Sequence, residues 1–210
     1  AAGWLLVARN VDWYYALVPG AMASGRVPGA SRAELAQTLA IESSSNGLSG
    51  FAAYLFYNNA TVCILVFALG FAFGVPTVLM LIYNMAMLGA MAWLFNSVGL
   101  LPEFMAWLCV HGTTEFTAIL LSGAAGVHVG RNMAFPGDSS ILGATAQAGR
   151  RAALVMLGCV IMLVFAAVLE AFPRQLAGFE ARLIIGIFMG LVWLSVFVLV
   201  GRKSADGDAA

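Results

Sequence analysis

The chain is 210 residues long, 62% hydrophobic and 10% charged, with a formal net charge of zero and a mean hydropathy of +0.93. Soluble domains carry about 25% charged residues and have no need of repeated apolar runs of about 20 residues, the length that spans a bilayer. A soluble globule is thereby excluded in favour of an all-α, polytopic helical membrane bundle. There is no basic stripe, so nucleic acid is excluded as a partner. Cys63, Cys109 and Cys159 stand far apart in apolar runs, outside metal-ligand spacing, and read as small packing residues with no disulfide framework.

In chain order, the first apolar stretch, AAGWLLVA, is too short to span. Residues 1–9 read as the end of a truncated helix, with no sign of a cleavable signal peptide. Residues 10–49 form a mixed polar loop. Within it SRAELAQTLAIE starts with Ser31 and carries Glu34 three positions on, a capping-box pattern that predicts a short amphipathic helix from Arg32 to about Glu42. The membrane domain is expected over 50–202. GFAAYLFYNNATVCILVFALGFAFG (50–74) is its first complete span, and TVLMLIYNMAMLGAMAWLF (77–95) follows after a tight turn at Gly74–Val75–Pro76. LPEFMAWLCV (101–110) is too short to cross. It predicts a short, interrupted and re-entrant helix, a break at His111–Gly112, and then a span from Thr113 to about Gly130. One continuous helix kinked at Gly112 is the alternative. A polar loop over 131–151 leads to spans at 152–171 and 183–200 and a polar cytoplasmic tail at 203–210. The expectation is five complete spans. Arg131, Arg150, Arg151, Arg202 and Lys203 fall on one side of this arrangement, which places residues 10–49 outside the cytoplasm.

Polar residues in the spans can be placed by depth at about 1.5 Å per residue. Asn58 and Asn59 lie roughly 22–24 Å above the turn at Gly74, Glu115 roughly 24 Å above Arg131 with His111 a turn higher, and Glu170 roughly 28 Å from Arg151. Asn84 lies lower, about 12 Å from Pro76. These six residues predict a polar intramembrane cluster in the outer half of the bundle. An ionised carboxylate within a membrane is costly, so Glu115 is its most informative member. On one reading it is a structural pin, satisfied by Asn, by Thr113, Thr114 and Thr117, and by backbone groups. On another it is a proton relay or substrate gate. As a metal site, His111 and Glu115 supply only two ligands, whereas a catalytic zinc needs three and a water. His128 is too far away to complete it. No metal, cofactor or catalytic residue is assigned. Gly70 with Gly74, Gly126 with Gly130, and Gly186 with Gly190 each repeat at four residues, a spacing that lets membrane helices approach closely.

The order of YNN (57–59), FALGFAFGVPT (67–77), YNMAMLGA (83–90), HGTTEFTAILLSGAAG (111–126) and LEAF (169–172) resembles the stage II sporulation protein M family, over about residues 50–202. Val110 stands where that family often has proline, and Met85 where glycine is usual. The resemblance implies a bacterial inner-membrane protein that holds peptidoglycan-remodelling partners at the cell envelope, and it brings no catalytic residue. The partners it implies are membrane lipids and cell-envelope proteins, with a homo-oligomer left open. The function expected is a non-enzymatic scaffold. A transporter or lipid-handling protein centred on Glu115 is the alternative, and an intramembrane metallohydrolase is a third reading.

Overall fold

The computed structural model describes residues 2–39, 47–171 and 178–207, and all regular structure within them is helical. The helices are α1 (Ala2–Arg9), α2 (Asp12–Leu17), α3 (Gly20–Ala23), α4 (Arg32–Leu39), α5 (Gly47–Ala68), α6 (Val75–Ser97), α7 (Leu101–Ala134), α8 (Ile141–Ala171) and α9 (Phe179–Gly207), with a 3-10 turn at Leu69–Phe71. Four segments are long and apolar enough to cross a membrane: Val75–Ser97, Leu101–Ala134, Ile141–Leu169 and Phe179–Leu199. The chain is thus a multi-pass membrane protein by length and composition. The fifth expected span, 50–74, is not shown, because its described apolar part is the shorter Phe56–Phe71. The helix tightens into the 3-10 turn and is stopped by Phe73 and Gly74, both with positive φ (59° and 80°).

The predicted interruption at His111–Gly112 does not occur; the helix is continuous there, as in the alternative reading. α7 is one helix of 34 residues, about 51 Å long, and Gly112 lies within it. A lone glycine weakens a helix without breaking it. Here the neighbouring turns are largely buried against other helices, and that packing carries the ladder through. Residues 101–110 are therefore the first turns of α7, and no re-entrant segment is present there. α7 is the central helix, with α5, α6, α8 and α9 packed around it and its longest interface to α8. Small residues of α7 also permit close contacts with α5 and the 3-10 turn. Gly126 lies against the Phe67 carbonyl, where an added Cβ would sit 2.7 Å from that oxygen, and Gly130 faces Gly70 and Gly74.

The expected polar loop at 131–151 is shorter than predicted. Helix α8 begins at Ile141, where Ser140 Oγ accepts the Gly143 N–H at 3.1 Å. Ala144, Ala148 and Ala152 recur at helical spacing and are buried, and Ala148 and Ala152 cluster with Ala125 and Val129 of α7. That apolar stripe of alanines outweighs the polar composition around it. α9 likewise continues to Gly207, beyond the predicted end of its span.

At the opposite end of the bundle, α2–α4 form a head over the α6–α7 turn. Val7, Tyr14, Val18, Leu35 and Leu39 share a core with Ala90, Leu94, Phe95, Leu100 and Phe104. α1 runs alongside α6, with Gly3 against the backbone of Ala86. The predicted capping box is present: Ser31 N–H donates to Glu34 Oε2 at 2.7 Å, and Ser31 Oγ accepts the Glu34 N–H at 3.2 Å. α4 is described to Leu39; the predicted extension to Glu42 lies outside the described residues.

Candidate functional site

The site grows from one face of α7. Glu103, Trp107, His111 and Glu115 follow one another at four-residue spacing, so an unbroken helix lines them up on one side. His111 and Glu115 are 3% and 8% exposed. Asn59 of α5 donates from Nδ2 to Glu115 Oε1 in a short contact. Of the predicted polar cluster, the structure therefore brings together Asn59 and Glu115, with His111 one turn along. Asn84 bonds its own helix, donating from Nδ2 to the Met80 carbonyl at 2.8 Å. Asn58 is half-buried, and the described hydrogen bond to Glu115 comes from its neighbour Asn59. Glu170 lies near the end of α8, and its side chain is outside the described residues.

Glu115 sits about 21 Å from Leu101 and about 22 Å from Gly130, in the middle of α7. Burial of a carboxylate at that depth is tolerated only with hydrogen-bonding partners, and Asn59 supplies one. Two further bonds tie α5, α6, α7 and α9 together nearby. Trp193 Nε1 donates to Thr114 Oγ1 at 3.0 Å, and Thr77 Oγ donates to the Val66 carbonyl at 2.8 Å. Thr117 Oγ turns back to the Thr113 carbonyl at 2.6 Å.

Towards the head the same face becomes aromatic. The Trp107 ring meets His111 edge-on at 5.5 Å, and Phe104 stacks between Trp107 and Phe95, with the Phe95–Phe104 centroids 4.6 Å apart. The Arg26 guanidinium lies 5.2 Å from the Trp107 ring centroid, within cation–π range. It also donates to the Thr38 carbonyl at 3.1 Å. Arg32 Nη1 donates to the carbonyls of Val98 (3.0 Å) and Gly99 (2.9 Å), and Nη2 lies 3.6 Å from Glu103 Oε1. Two arginines of the head thus clamp it to the α6–α7 turn and to the face that carries His111 and Glu115. A cleft of about 500 Å³ opens on the head, with Gly25, Val27, Pro28, Gly29, Glu34 and Thr38 among its walls. Hydrogen bonds from Ser31 hold the Glu34 carboxyl below its usual range. Tyr14, which donates to the Arg26 carbonyl at 2.5 Å, is pushed up to about 12 by burial, partly offset by Arg26.

Arg26, Trp107 and Trp193 are missing from the predicted cluster. Trp107 was within reach of sequence reasoning, because it stands four residues before His111. Arg26 and Trp193 were not, since only folding brings them to α7. The three Gly-x-x-x-Gly pairs serve contacts within the chain. Gly70 and Gly74 face Gly126 and Gly130, and a Cβ on Gly186 would fall 2.7 Å from the Cys109 Cβ. Among the described residues no three His, Cys, Asp or Glu side chains converge as metal ligands, so the third ligand a metallohydrolase requires is not found there.

A family model described as stage II sporulation protein M matches residues 1–173. The match takes in the head, which the motif reading had left out, and stops short of α9. No curated protein and no solved structure matches the chain.

Proposed function

The chain belongs to the stage II sporulation protein M family, and on that premise we propose that it is a non-enzymatic scaffold in the bacterial inner membrane. It crosses the bilayer five times, with α5 as the first complete span, and its head faces outwards to dock cell-envelope proteins that remodel peptidoglycan. The observation that carries this reading is the double arginine clamp. Arg26 and Arg32 hold α2–α4 as a fixed platform on the bundle, and a platform suits a partner surface better than a mobile loop does. The outward direction rests on Arg131, Arg150 and Arg151, which lie exposed at the opposite end of the bundle and belong on the cytoplasmic side. Buried between these ends, the Asn59–Glu115 pair acts as a pin that fixes helix positions.

The test is photo-crosslinking in living cells. A crosslinker at Val27, an exposed residue of the head cleft, should capture envelope proteins that the same group at lipid-facing Leu199 does not. Equal yields from both sites would remove the docking role. Glu115→Gln, which keeps hydrogen bonding, should preserve this capture.

Transport remains the second reading, because it would give the buried mid-membrane carboxylate of Glu115 a proton- or substrate-handling task. On that reading Glu115→Gln would abolish a pH-dependent flux in reconstituted vesicles while leaving the fold intact. Vesicles that show no movement of protons, solutes or lipids with the wild-type chain would dismiss it.

A further inference from the structure

The corner between α1 and α2 sets apolar, cationic and aromatic side chains in the order that a bilayer edge requires. α1 runs parallel to α6: Gly3 lies against Ala86, a Cβ on Gly89 would fall 3.0 Å from the Trp4 nitrogen, and Val7 shares a core with Ala90 and Leu94. On its outer side α1 carries Leu5, 60% exposed, and one turn later Arg9, also exposed. The chain then turns at Asn10, whose Oδ1 accepts the Asp12 N–H at 2.9 Å, and enters α2.

Tyr14 fixes the height of this corner. It is fully buried in one cluster with Leu94, Phe95 and Leu100, at the end of the membrane-crossing segment Val75–Ser97. Successive helix residues point about 100° apart, so Trp13 and Tyr15 flank the buried face. They remain 44% and 57% exposed, and Val11 is 40% exposed. Aromatic rings left open where an apolar span ends suit the membrane–water interface. The ring enters the acyl chains there, while its N–H or O–H reaches water and headgroups.

We propose that the α1–α2 corner is a seat in the phospholipid headgroup layer: Val11, Trp13 and Tyr15 enter the top of the acyl region, and Arg9 reaches up to a headgroup phosphate. Phospholipid is the occupant because the corner continues the lipid-facing side of the bundle, which below it carries exposed Leu5 of α1 and Ile82 of α6. Charge defines the kind of lipid. Asp12, exposed beside Trp13, offsets Arg9, so the seat has no net charge and zwitterionic phospholipid suffices. One edge of the head is thereby tied to the bilayer. This holds independently of the scaffold reading and of the side the head faces.

The test is fluorine NMR on the full chain, labelled with fluorotryptophan and reconstituted alone in phosphatidylcholine vesicles. Of the five tryptophans, Trp13 gives the resonance that is lost in Trp13→Phe. Lipid spin-labelled just below the headgroup should broaden this resonance about twofold or more beyond lipid labelled at the end of its acyl chain, as an interfacial ring requires. It should also exceed the broadening by a water-soluble gadolinium chelate. Tyr15→Trp in the otherwise wild-type chain adds one further resonance with the same expected pattern, and needs no variant at Trp13. Strongest broadening by the chelate would mean that the corner stands in water, open to a protein partner. Strongest broadening by the deep label would put it in the bilayer core, and a response to none of the three would mean that protein covers it. Each of these results would overturn the seat.

Discussion

Asn59 and Glu115 show what one side chain can decide inside a membrane. A buried carboxylate needs hydrogen-bond donors, and α5 brings Asn59 to it. Asn59→Ala is expected to destabilise the protein by about 2 kcal/mol, the scale for leaving a buried polar group without its partner. In a Glu115→Leu background the same change should cost far less, because both polar partners are then gone. A double-mutant cycle from unfolding in mixed micelles measures the difference, and equal costs in both backgrounds would show that the pair is not coupled. Glu34 offers a gentler case on the surface of the head. Its folded pKa lies below the unfolded value, so its contribution is present above the usual carboxyl range and is lost as pH falls through the folded value. Glu34→Gln should therefore flatten the acid limb of the head's stability, followed by hydrogen exchange over α4.

Helices meet in this bundle where side chains are smallest. Gly126 rests against the backbone of Phe67, and Gly70 against that of Gly126, so a larger residue at either position must push α5 and α7 apart. Gly126→Val should cost roughly 1–3 kcal/mol, the range for overpacking a close-fitted interior. Gly149→Ala is the contrasting change, since nothing lies within 4 Å of a Cβ placed there. It should be neutral or slightly stabilising because alanine is the better helix former. Thermal unfolding of the two variants in one detergent compares them directly, and equal melting temperatures would contradict the close contact. The same element carries a lesson about α7. His-Gly within HGTTE looks like a breaking point in one dimension, yet the helix runs through it, because neighbouring helices stabilise those turns from outside.

For the whole molecule, the head and the bundle are joined by a shared apolar core and by a few polar contacts across the α6–α7 turn. Arg32→Ala removes the donor to the Val98 and Gly99 carbonyls and the ion pair with Glu103. Hydrogen exchange over α2–α4 should then rise while the lower halves of α7 and α8 stay protected; unchanged exchange in the head would show that the clamp is dispensable. Tyr14 gives this joint a pH signature. Its folded pKa of about 12 lies above the ordinary tyrosine value of about 10, so its stabilising contribution is complete below about pH 10 and is lost as pH rises through about 12. Tyr14→Phe should remove this alkaline loss and, with it, the bond to the Arg26 carbonyl.

Much of this arrangement was legible in one dimension, because the bilayer imposes a length rule that sequence obeys directly. Apolar runs identified the four long spans, the Ser31–Glu34 spacing identified the capping box, and four-residue glycine spacing identified the close helix contacts. Each of these signals is local: it depends on a helix's own period or on neighbouring residues. Tertiary structure decided which polar residues meet. Asn59 rather than Asn58 reaches Glu115, Trp193 reaches Thr114, and Arg26 covers Trp107, because those pairings depend on the rotation and height of one helix against another. The continuity of α7 was decided at the same level. Local propensity at Gly112 favours a break by little, while burial against four surrounding helices favours the unbroken ladder by more.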